Sequence, residues 1–236
     1  ANDSIGGANA TLTNMDSGPD WIACHMGGAL QFDGSNDQAV ISGSDAAGLN
    51  AALNGSTALT MSIWVRGDGT NENSEGIFEH RGPGSSNLTG FNTPGGAVDD
   101  VQFRINSTNI TTDANALIDG QWQHLVGVWE AGERFEIWID GVLAEEGTST
   151  ATELIAVGDW RFGNDVCCGD RFFDGALDDG ALWGRALSTS EIQGLYLAGR
   201  AGLNAQQAVQ TPEPASIALW SLLGAVLFGI ASWRRR

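Results

Sequence analysis

Six Asp-Gly pairs punctuate this chain, and their positions limit the folds that it can adopt. The Asp-Gly dipeptide suits the positive φ angles of tight hairpin turns between antiparallel strands. The clearest case is Asp140-Gly141, which separates two segments rich in apolar residues at 135–139 and 142–145. The pattern therefore predicts short antiparallel strands joined by tight turns. The pairs begin at Asp33, Asp68, Asp119, Asp140, Asp174 and Asp179.

The segments between these turns show the period-two alternation of β-strands. Met61, Ile63 and Val65 share one face of their segment, and later segments repeat the pattern. One short helix is predicted after Ser188, because Ser188 and Glu191 fit a capping box. Many antiparallel strands with little other helix favour an all-β sandwich of two sheets. Strands are predicted at residues 29–32, 38–41, 59–65, 76–79, 101–105, 122–129, 134–139, 142–145, 160–162 and 176–182.

The charge of the chain is strongly negative. It carries 29 acidic residues against 11 arginines and no lysine, for a net charge of −18. Such a surface repels nucleic-acid phosphates, so nucleic-acid binding is excluded. It also repels anionic membranes and acidic polysaccharides unless a cation bridges the two. Neutral glycans, calcium ions and cationic partners stay compatible with this charge.

The C-terminal tail has three parts in a fixed order. A rigid polar block comes first, an uncharged apolar run follows at residues 217–233, and three arginines end the sequence. The run of about 17 residues spans roughly 25 Å as a helix, which is near the lower limit for crossing a bilayer. The arginines should stay on the cytoplasmic side, so the residues before the tail should face outward. The polar block is Pro212, Glu213 and Pro214, and the arginines are Arg234, Arg235 and Arg236.

This tail resembles the PEP-CTERM sorting signal of Gram-negative bacteria. The resemblance implies an exosortase as partner, cleavage near the Pro-Glu-Pro block, and an inner-membrane anchored precursor. The mature protein is then expected at the cell surface or in the extracellular matrix. The alternative is a plain membrane anchor that is not processed. An exported protein also needs a signal peptide, so we expect that the sequence begins after a cleaved peptide or is a fragment.

Six segments follow one another in the order of a known family. They read ALQFDGSND at 29–37, LTMSIWV at 59–65, QWQHLV at 121–126, FEIWIDGV at 135–142, FDGALD at 173–178 and RALSTSEI at 185–192. Together they resemble the motifs of the laminin-G-like, concanavalin A-like jelly-roll domain. The resemblance implies a jelly-roll sandwich over residues 1–200, followed by a linker at 201–211 and the sorting and transmembrane segment at 212–236. The family usually opens with an aromatic-rich strand, which the given sequence lacks before Ala1.

Three aspartates are candidate calcium ligands. Asp33 and Asp37 flank a turn that also holds Ser35, and calcium prefers oxygen ligands from carboxylates and turns. The family resemblance places Asp178 near Asp33 and implies a structural calcium there. The alternative is that these aspartates only form turns and accept hydrogen bonds from backbone amides.

Aromatic and polar residues near two loops are candidate sugar ligands. Rings that stack on a sugar, beside amide, carboxylate or guanidinium groups, are typical of neutral glycan sites. The alternative is that the rings belong to the core. The candidates are Trp21, Trp160, Asn164, Arg171 and Phe172.

Three cysteines permit one disulfide in an exported protein. Cys24 would pair with Cys167 or Cys168, and a vicinal Cys167–Cys168 bond is the rarer choice. The sequence leaves the pairing open.

Catalytic residues are not predicted. Glu136 and Asp140 share a strand face, but the spacing does not reproduce the acid-rich strand of the related glucanases, and the three histidines have no serine or cysteine relay evident in the sequence. We therefore expect an exported, non-enzymatic protein that binds a carbohydrate or matrix polymer. The alternatives are a self-assembling matrix or filament subunit and, less favoured, a glycoside-active enzyme.

Overall fold

The computed structural model describes residues 6–15, 20–24, 27–67, 74–82, 87–95, 99–106, 108–113, 115–165 and 171–208. The strands within these residues are β1 (Thr11–Thr13), β2 (Trp21–Cys24), β3 (Gly27–Asp33), β4 (Gln38–Ile41), β5 (Ala58–Gly67), β6 (Gly76–Arg81), β7 (Leu88–Asn92), β8 (Gln102–Ile105), β9 (Thr108–Thr111), β10 (Gln123–Glu130), β11 (Arg134–Ile139), β12 (Val142–Glu146), β13 (Trp160–Phe162) and β14 (Asp174–Trp183). The helices are α1 (Gly43–Leu53), α2 (Thr189–Arg200) and α3 (Ala205–Ala208).

The strands form two antiparallel sheets of seven strands each. Sheet A has the order β1-β4-β13-β6-β7-β8-β9, and sheet B has the order β12-β11-β10-β5-β14-β3-β2. The predicted all-β, two-sheet jelly-roll sandwich is therefore confirmed. The Asp140-Gly141 turn joins β11 to β12 as expected, with both residues at positive φ.

The main core fills the space between the sheets. Large side chains from both inner faces are fully buried there, as the period-two pattern predicts. Sheet A contributes Phe78, Phe91, Phe103 and Trp160, and sheet B contributes Phe32, Met61, Ile63, Trp129 and Phe135.

Helix α2 covers the outer face of sheet B. Ile192 and Leu195 of the helix are buried against Val126, Val128 and Trp138 of the sheet. Strand β10 is consequently apolar on both faces, because both of its faces are covered. The predicted capping box starts this helix.

Helix α1 is a difference from the sequence analysis, which expected little helix beyond the segment after Ser188. Its residues are Gly43–Leu53, and only Ala46 and Leu53 among them are buried. Two buried positions in eleven residues do not produce a recognisable helical period, so the pattern gave no signal.

Residues 201–208, expected to begin a linker, pack against the sandwich. The backbone N–H of Ala205 donates a 2.7 Å hydrogen bond to Oδ2 of Asp179, and the Ala205 side chain is buried. Within the described residues, helices remain too short or too polar to cross a bilayer. The predicted span at 217–233 and the sorting residues Pro212, Glu213, Pro214, Arg234, Arg235 and Arg236 lie outside them.

Candidate functional site

A cleft opens between the two sheets where β14 separates from β3. The pairing of the two strands ends at Leu177 with Leu30, and the pairing of β14 with β5 shifts register between Asp178 and Ala181. Asp179 lies in this bulge with a φ of 47°, a conformation that favours short polar residues over bulky ones. The bulge makes room for a cleft of about 560 Å³.

Two tryptophans line this cleft together with polar groups. Trp21 on the edge strand β2 is 45% exposed, and Trp183 at the end of β14 is half-buried. Asp178 and Asp179 also line the cleft and contribute two carboxylates. Aromatic rings beside hydrogen-bond acceptors can stack on a sugar ring and bind its hydroxyl groups. The apolar floor and the remaining polar lining are formed by Leu30, Phe162, Leu182, Asn204 and Gln206, among others.

Asp179 is the ionisable group of the cleft with a shifted pKa. Burial raises the pKa of Asp179 to about 6, and the nearby charge of Asp178 acts in the same direction. The hydrogen bond from the Ala205 amide opposes this shift, because it stabilises the charged carboxylate. The same contact attaches α3 to the rim of the cleft.

The predicted sugar-binding residues do not form one site. Trp160 is fully buried, donates from Nε1 to Oδ1 of Asn50, and packs on the rings of Phe78 and His80. Its assignment as a ligand residue is therefore wrong, because both the ring face and the indole N–H are used inside the core. Trp21 alone of the five lines the cleft.

The other three candidates lie beside β6, away from Trp21. Asn164 and Phe172 form an isolated bridge, and the backbone of Asn164 packs closely on Gly76. Arg171 pairs with Oδ2 of Asp165 at 2.9 Å. Asn164 and Arg171 thus lie beside Gly76 at the start of β6 in sheet A, whereas Trp21 belongs to sheet B.

The three candidate calcium ligands do not converge. Asp33 is the register partner of Asp174 on β14, so Asp178 lies four residues further along, at about 13 Å. Oδ2 of Asp37 accepts a hydrogen bond from the Asp33 amide, so these two carboxyl-bearing residues do adjoin. In the part of the chain that is described, groups of three acidic, cysteine or histidine side chains suited to a metal are absent. The residues present therefore do not fit the predicted calcium site.

The backbone explains the roles of Asp33 and Asp37 better than a metal does. Oδ1 of Asp33 accepts hydrogen bonds from the amides of Ser35 and Asn36, and these bonds outweigh the effect of burial and keep the pKa of Asp33 below its ordinary value. Burial, followed by the charge of Asp33, raises the pKa of Asp37 to about 6. The turn alternative considered for these residues thus has direct support in their hydrogen bonds.

The disulfide prediction rests partly on residues without a description. Cys24 ends β2 and is half-buried, whereas Cys167 and Cys168 lie outside the described residues. The pairing stays a prediction.

The residues considered for catalysis have other partners. Glu136 pairs with Arg134 at 2.7 Å and accepts a bond from Trp138, and Asp140 accepts one from the His124 amide. The structure also brings together a pair that the sequence analysis missed, because Oγ of Ser62 lies 2.7 Å from Nε2 of His124.

The Ser62–His124 pair is sealed from solvent. Both side chains are buried, and the imidazole stacks with the rings of Trp64 and Tyr196. Burial lowers the pKa of His124 to about 3, so the ring is neutral at physiological pH. The pair consequently has a packing role beneath α2.

The outer face of sheet A carries a cluster of charged residues that the sequence analysis did not identify. The register aligns Arg161 of β13, Glu79 of β6, Gly90 of β7 and Arg104 of β8 in one row across four strands. Glu79 is 0% exposed, and among the described residues neither of its carboxylate oxygens has a hydrogen-bond partner. Burial raises the pKa of Glu79 well above its ordinary value, and the charge of Asp165 adds to this effect.

A signal for this cluster is present in the sequence. Three neighbouring strands alternate an aromatic residue with a charged one, as in Phe78-Glu79, Phe103-Arg104 and Trp160-Arg161. Alternation with one charged face normally predicts a solvent-exposed face. The burial of Glu79 could not be read from the pattern, because it depends on side chains from other segments.

Comparisons with known proteins agree with this architecture. Residues 33–193, more than half of the chain, match the family of laminin-G-type domains described as the concanavalin A-like lectin/glucanases superfamily. Residues 210–236 match the PEP-CTERM protein-sorting motif, which indicates export and sorting to the cell surface. Curated protein sequences give no significant match.

Several solved structures share this fold. Domain 4 of AbnA, an extracellular arabinanase from Geobacillus stearothermophilus solved with arabinotriose, aligns with a TM-score of 0.58 at 18% identity, over 78% of this chain and 86% of that one. The binding domain of botulinum neurotoxin serotype G aligns with a TM-score of 0.58 at 16% identity, over 83% and 48%.

A sialidase from Trypanosoma rangeli aligns with a TM-score of 0.58 at 17% identity, over 82% of this chain and 30% of that one. At these identities the likeness extends to the fold alone. The family match and the two-sheet architecture together place the chain: it belongs to the concanavalin A-like lectin/glucanase superfamily and carries a PEP-CTERM protein-sorting motif.

Proposed function

We propose that this protein is an exported surface or matrix protein that binds a neutral glycan in the cleft beside Trp21. The observation that carries the proposal is a cleft of about 560 Å³ that is lined by the exposed Trp21, the half-buried Trp183, Asp178 and Asp179. The volume suits a small ligand or the end of a chain. The net charge of −18 favours neutral over acidic sugars at this site, where both ionisable groups are carboxylates.

The fold supports a binding role in a general way. The superfamily includes lectins, and the aligned arabinanase domain was solved with arabinotriose. The proposal is non-enzymatic, because Glu136 and Asp140 are engaged by Arg134, Trp138 and His124. Calcium is not included, because Asp33, Asp37 and Asp178 do not converge.

The test uses the full-length chain in mild detergent on an array of neutral oligosaccharides. We expect binding that weakens about tenfold or more in Trp21→Ala and in Trp183→Ala, since each loses a stacking surface worth roughly 1.4 kcal/mol. Leu197→Ala removes an apolar side chain that is 65% exposed on α2, away from the cleft, and serves as the matched control. Binding that survives both tryptophan variants at full strength would contradict the proposal.

The route to the surface is the second part of the proposal. The PEP-CTERM motif supports a precursor held in the inner membrane by residues 217–233 and processed by an exosortase. Intact-mass measurement of protein extracted from the cell surface should then show loss of the tail. A surface form that still ends at Arg236 would favour a plain anchor.

One observation favours a self-assembling subunit as a second candidate. Val142 and Leu143 are 67% and 40% exposed on β12, which is an edge strand of sheet B, and unpaired edges with apolar residues associate readily. Glu145 and Glu146 on the same strand oppose such pairing. Filaments or sheets that form from the purified chain and vanish in Val142→Lys would support this function, whereas a monomer at all concentrations would argue against it.

A further inference from the structure

Strand β14 lies in the interior of sheet B, yet part of it has a neighbour on one side only. As far as Leu177 it pairs with β3 on one side and with β5 on the other. Beyond the bulge, Ala181, Leu182 and Trp183 still pair with β5, whereas a pairing with β3 is absent there among the described residues. The edge of β14 from Gly180 to Trp183, roughly 13 Å long, is therefore open.

Strand β3 turns away from this open edge. Residues 27–29 of β3 remain paired with β2, so the two strands diverge from β14 together. In an antiparallel sheet, alternate residues direct their backbone N–H and C=O groups to opposite neighbours. The open edge of β14 therefore presents backbone donors and acceptors to the space beside it. We call the opening between Gly180–Trp183 of β14 and residues 27–29 of β3 the strand gap.

The cleft of about 560 Å³ passes through sheet B at the strand gap. Leu30 and Leu182 line it from the inner face, because both pack against the main core. Ala181 and Trp183 line it from the outer face, because both pack against the apolar cluster that α2 covers. A groove on one surface of a sheet would be lined from that surface alone. The cleft is consequently an opening in the plane of the sheet.

Apolar side chains around the strand gap are accessible to solvent. Along β14, the residues change from buried at 175–177 to half-buried or exposed at 178–183. The interior strand β10 of the same sheet is buried throughout residues 123–129. Leu30, Phe162 and Leu182 pack against the main core but are only half-buried, and all three line the cleft. A ligand in the gap can therefore contact these side chains without displacing part of the fold.

Two carboxylates lie at one end of the strand gap. Asp178 and Asp179 occupy the point where the register of β14 shifts, and both line the cleft. The chain as a whole carries a net charge of −18. A cationic group at this end of the gap is therefore attracted, whereas an anionic group is repelled.

We propose that the strand gap binds an extended segment of a partner polypeptide, which adds to sheet B as a strand between β14 and β3. The segment is apolar at alternate positions, so that one set of its side chains contacts Leu30, Phe162 and Leu182. It also carries a lysine or arginine beside Asp178 and Asp179. In this mode of recognition, backbone hydrogen bonds supply the affinity and the alternate side chains supply the selectivity.

The inference does not depend on the proposed glycan function, although both use the same cleft. A glycan offers hydroxyl groups and ring faces, but it cannot continue a ladder of backbone hydrogen bonds on both sides of the gap. A strand in the gap would fill the cleft, so we expect a bound segment to exclude the glycan. The partner would then regulate access to the cleft beside Trp21.

The test is isothermal titration of the full-length chain in mild detergent with the peptide KTVTVTVK, in which valines alternate with threonines. The peptide KTTTVVVK has the same composition and charge without the alternation, and it should bind about tenfold more weakly or worse. N-methylation of alternate residues of KTVTVTVK removes strand hydrogen bonds but keeps every side chain, and it should cause a loss of similar size. The peptide ETVTVTVE should also bind more weakly, by a ratio that falls as sodium chloride is raised.

Hydrogen exchange gives a readout that is specific for strand addition. The amides of Ala181–Trp183 and of residues 27–29 that face the gap should become protected when KTVTVTVK binds, because each gains an acceptor. Leu182→Ala removes an apolar contact in the gap and should weaken the peptide several-fold. Leu197→Ala, on the exposed side of α2, is the matched control and should leave its binding unchanged. Near-ultraviolet circular dichroism checks that each variant keeps its native fold.

Several outcomes would overturn the proposal: no binding of KTVTVTVK, equal binding of KTTTVVVK, full binding of the N-methylated peptide, or unchanged exchange at both edges of the gap. Two other occupants would also overturn it, namely a second copy of the chain that fills the gap and excludes the peptide, or residues ahead of Ala1 that pair with β14 in protein from the host. Trp21→Ala tests the glycan proposal without a peptide, and the N-methylated peptide tests strand addition without a glycan, so the two proposals fail independently.

Discussion

The outer faces of the two sheets are buried in opposite ways. On sheet B, Val126, Val128 and Trp138 point outward and are covered by α2, which forms a second apolar cluster. On sheet A, Glu79 and Arg104 stand in the equivalent outward positions, and charged side chains cover one another. One face is buried by hydrophobic packing, and the other is buried by ion pairs.

The two kinds of burial have opposite effects on the stability of the fold. Burial of apolar surface stabilises the fold, whereas an ionisable group without a partner costs stability unless something else binds it. Sheet B therefore carries a stabilising apolar cover, and sheet A carries a buried carboxyl group, Glu79, that has no hydrogen-bond partner among the described residues. The comparison can be tested by substitutions on each face, with effects of opposite sign.

The largest effect is expected for the apolar cover of sheet B. Ile192→Ala removes a fully buried side chain between α2 and the sheet, so the free energy of unfolding should fall by about 2–5 kcal/mol. The exposed Leu197 on the same helix provides the control, and Leu197→Ala should change it by no more than about 0.5 kcal/mol. Urea unfolding measures both. Similar values for the two variants would mean that α2 does not stabilise the sandwich.

The buried histidine beneath this cover should make the fold sensitive to acid. The pKa of His124 is lowered by burial to about 3, whereas an unfolded histidine titrates near 6.5. The neutral ring therefore contributes stability that is present above pH 6.5 and is lost as the pH falls toward 3. Between pH 7 and pH 4 the expected loss is roughly 3 kcal/mol.

Unfolding of His124→Gln across the same range isolates this contribution, since the variant should lose less stability on acidification than the native chain. His80, whose pKa burial lowers to about 4, acts in the same direction and remains in both proteins. Asp37 and Asp179, each with a pKa raised to about 6, act in the opposite direction over this range. Identical pH profiles for the native chain and His124→Gln would show that His124 does not titrate on unfolding.

On the outer face of sheet A, a substitution should raise the free energy of unfolding instead of lowering it. Glu79→Gln replaces a carboxyl group whose folded pKa is raised by burial, and such a group destabilises the fold increasingly as the pH rises above its unfolded value. At pH 8 the variant should be more stable by about 1 kcal/mol or more, and the gain should shrink toward pH 4. Thermal unfolding at both values checks the sign. A loss of stability at pH 8 would show that the charge is stabilised by its arginines.

The sequence predicted the sandwich because every inward position follows from local alternation and turn chemistry. Phe135, Ile137 and the Asp140-Gly141 turn are local signals of this kind. The cleft and the Glu79 cluster depend instead on non-local events. Asp179 in the β14 bulge accepts a hydrogen bond from Ala205 of α3, and Arg81, on the same strand face as Glu79, pairs with Asp165, 84 residues away in the chain.

The wrong prediction of Trp160 as a sugar ligand also results from contacts that are distant in the sequence. Its neighbours in the sequence are polar, but its environment is set by Asn50, 110 residues away, and by the rings of β6. Asp178 was expected beside Asp33 because both belong to family motifs, yet the strand register brings Asp174 there instead. Spacing along the chain fixes which residues share a face, whereas register fixes which residues meet across strands.

The smallest effect is expected at the first turn of α2, the helix that covers sheet B. Oγ of Ser188 accepts a hydrogen bond from the Glu191 amide, and Oε2 of Glu191 accepts one from the Ser188 amide at 2.8 Å, which completes the capping box. Ser188→Ala removes one half of this box, so the free energy of unfolding should fall by about 1 kcal/mol.

Ser190→Ala is the matched control, because Ser190 is exposed in the first turn of α2 and its Oγ contacts the Ser188 Oγ at 3.2 Å without accepting a backbone amide of the cap. Alanine also has a higher helix propensity than serine, so this change should be neutral or slightly stabilising. If both serine variants lose the same stability, the cap does not hold α2 on sheet B, and the helix is held there by Ile192 and Leu195 alone. If Ser188→Ala alone is destabilised, the capping box helps to hold α2 on sheet B. The apolar cover of sheet B then depends on polar hydrogen bonds in the first turn of the helix, and the contrast between the sheets is confined to the side chains on their outer faces.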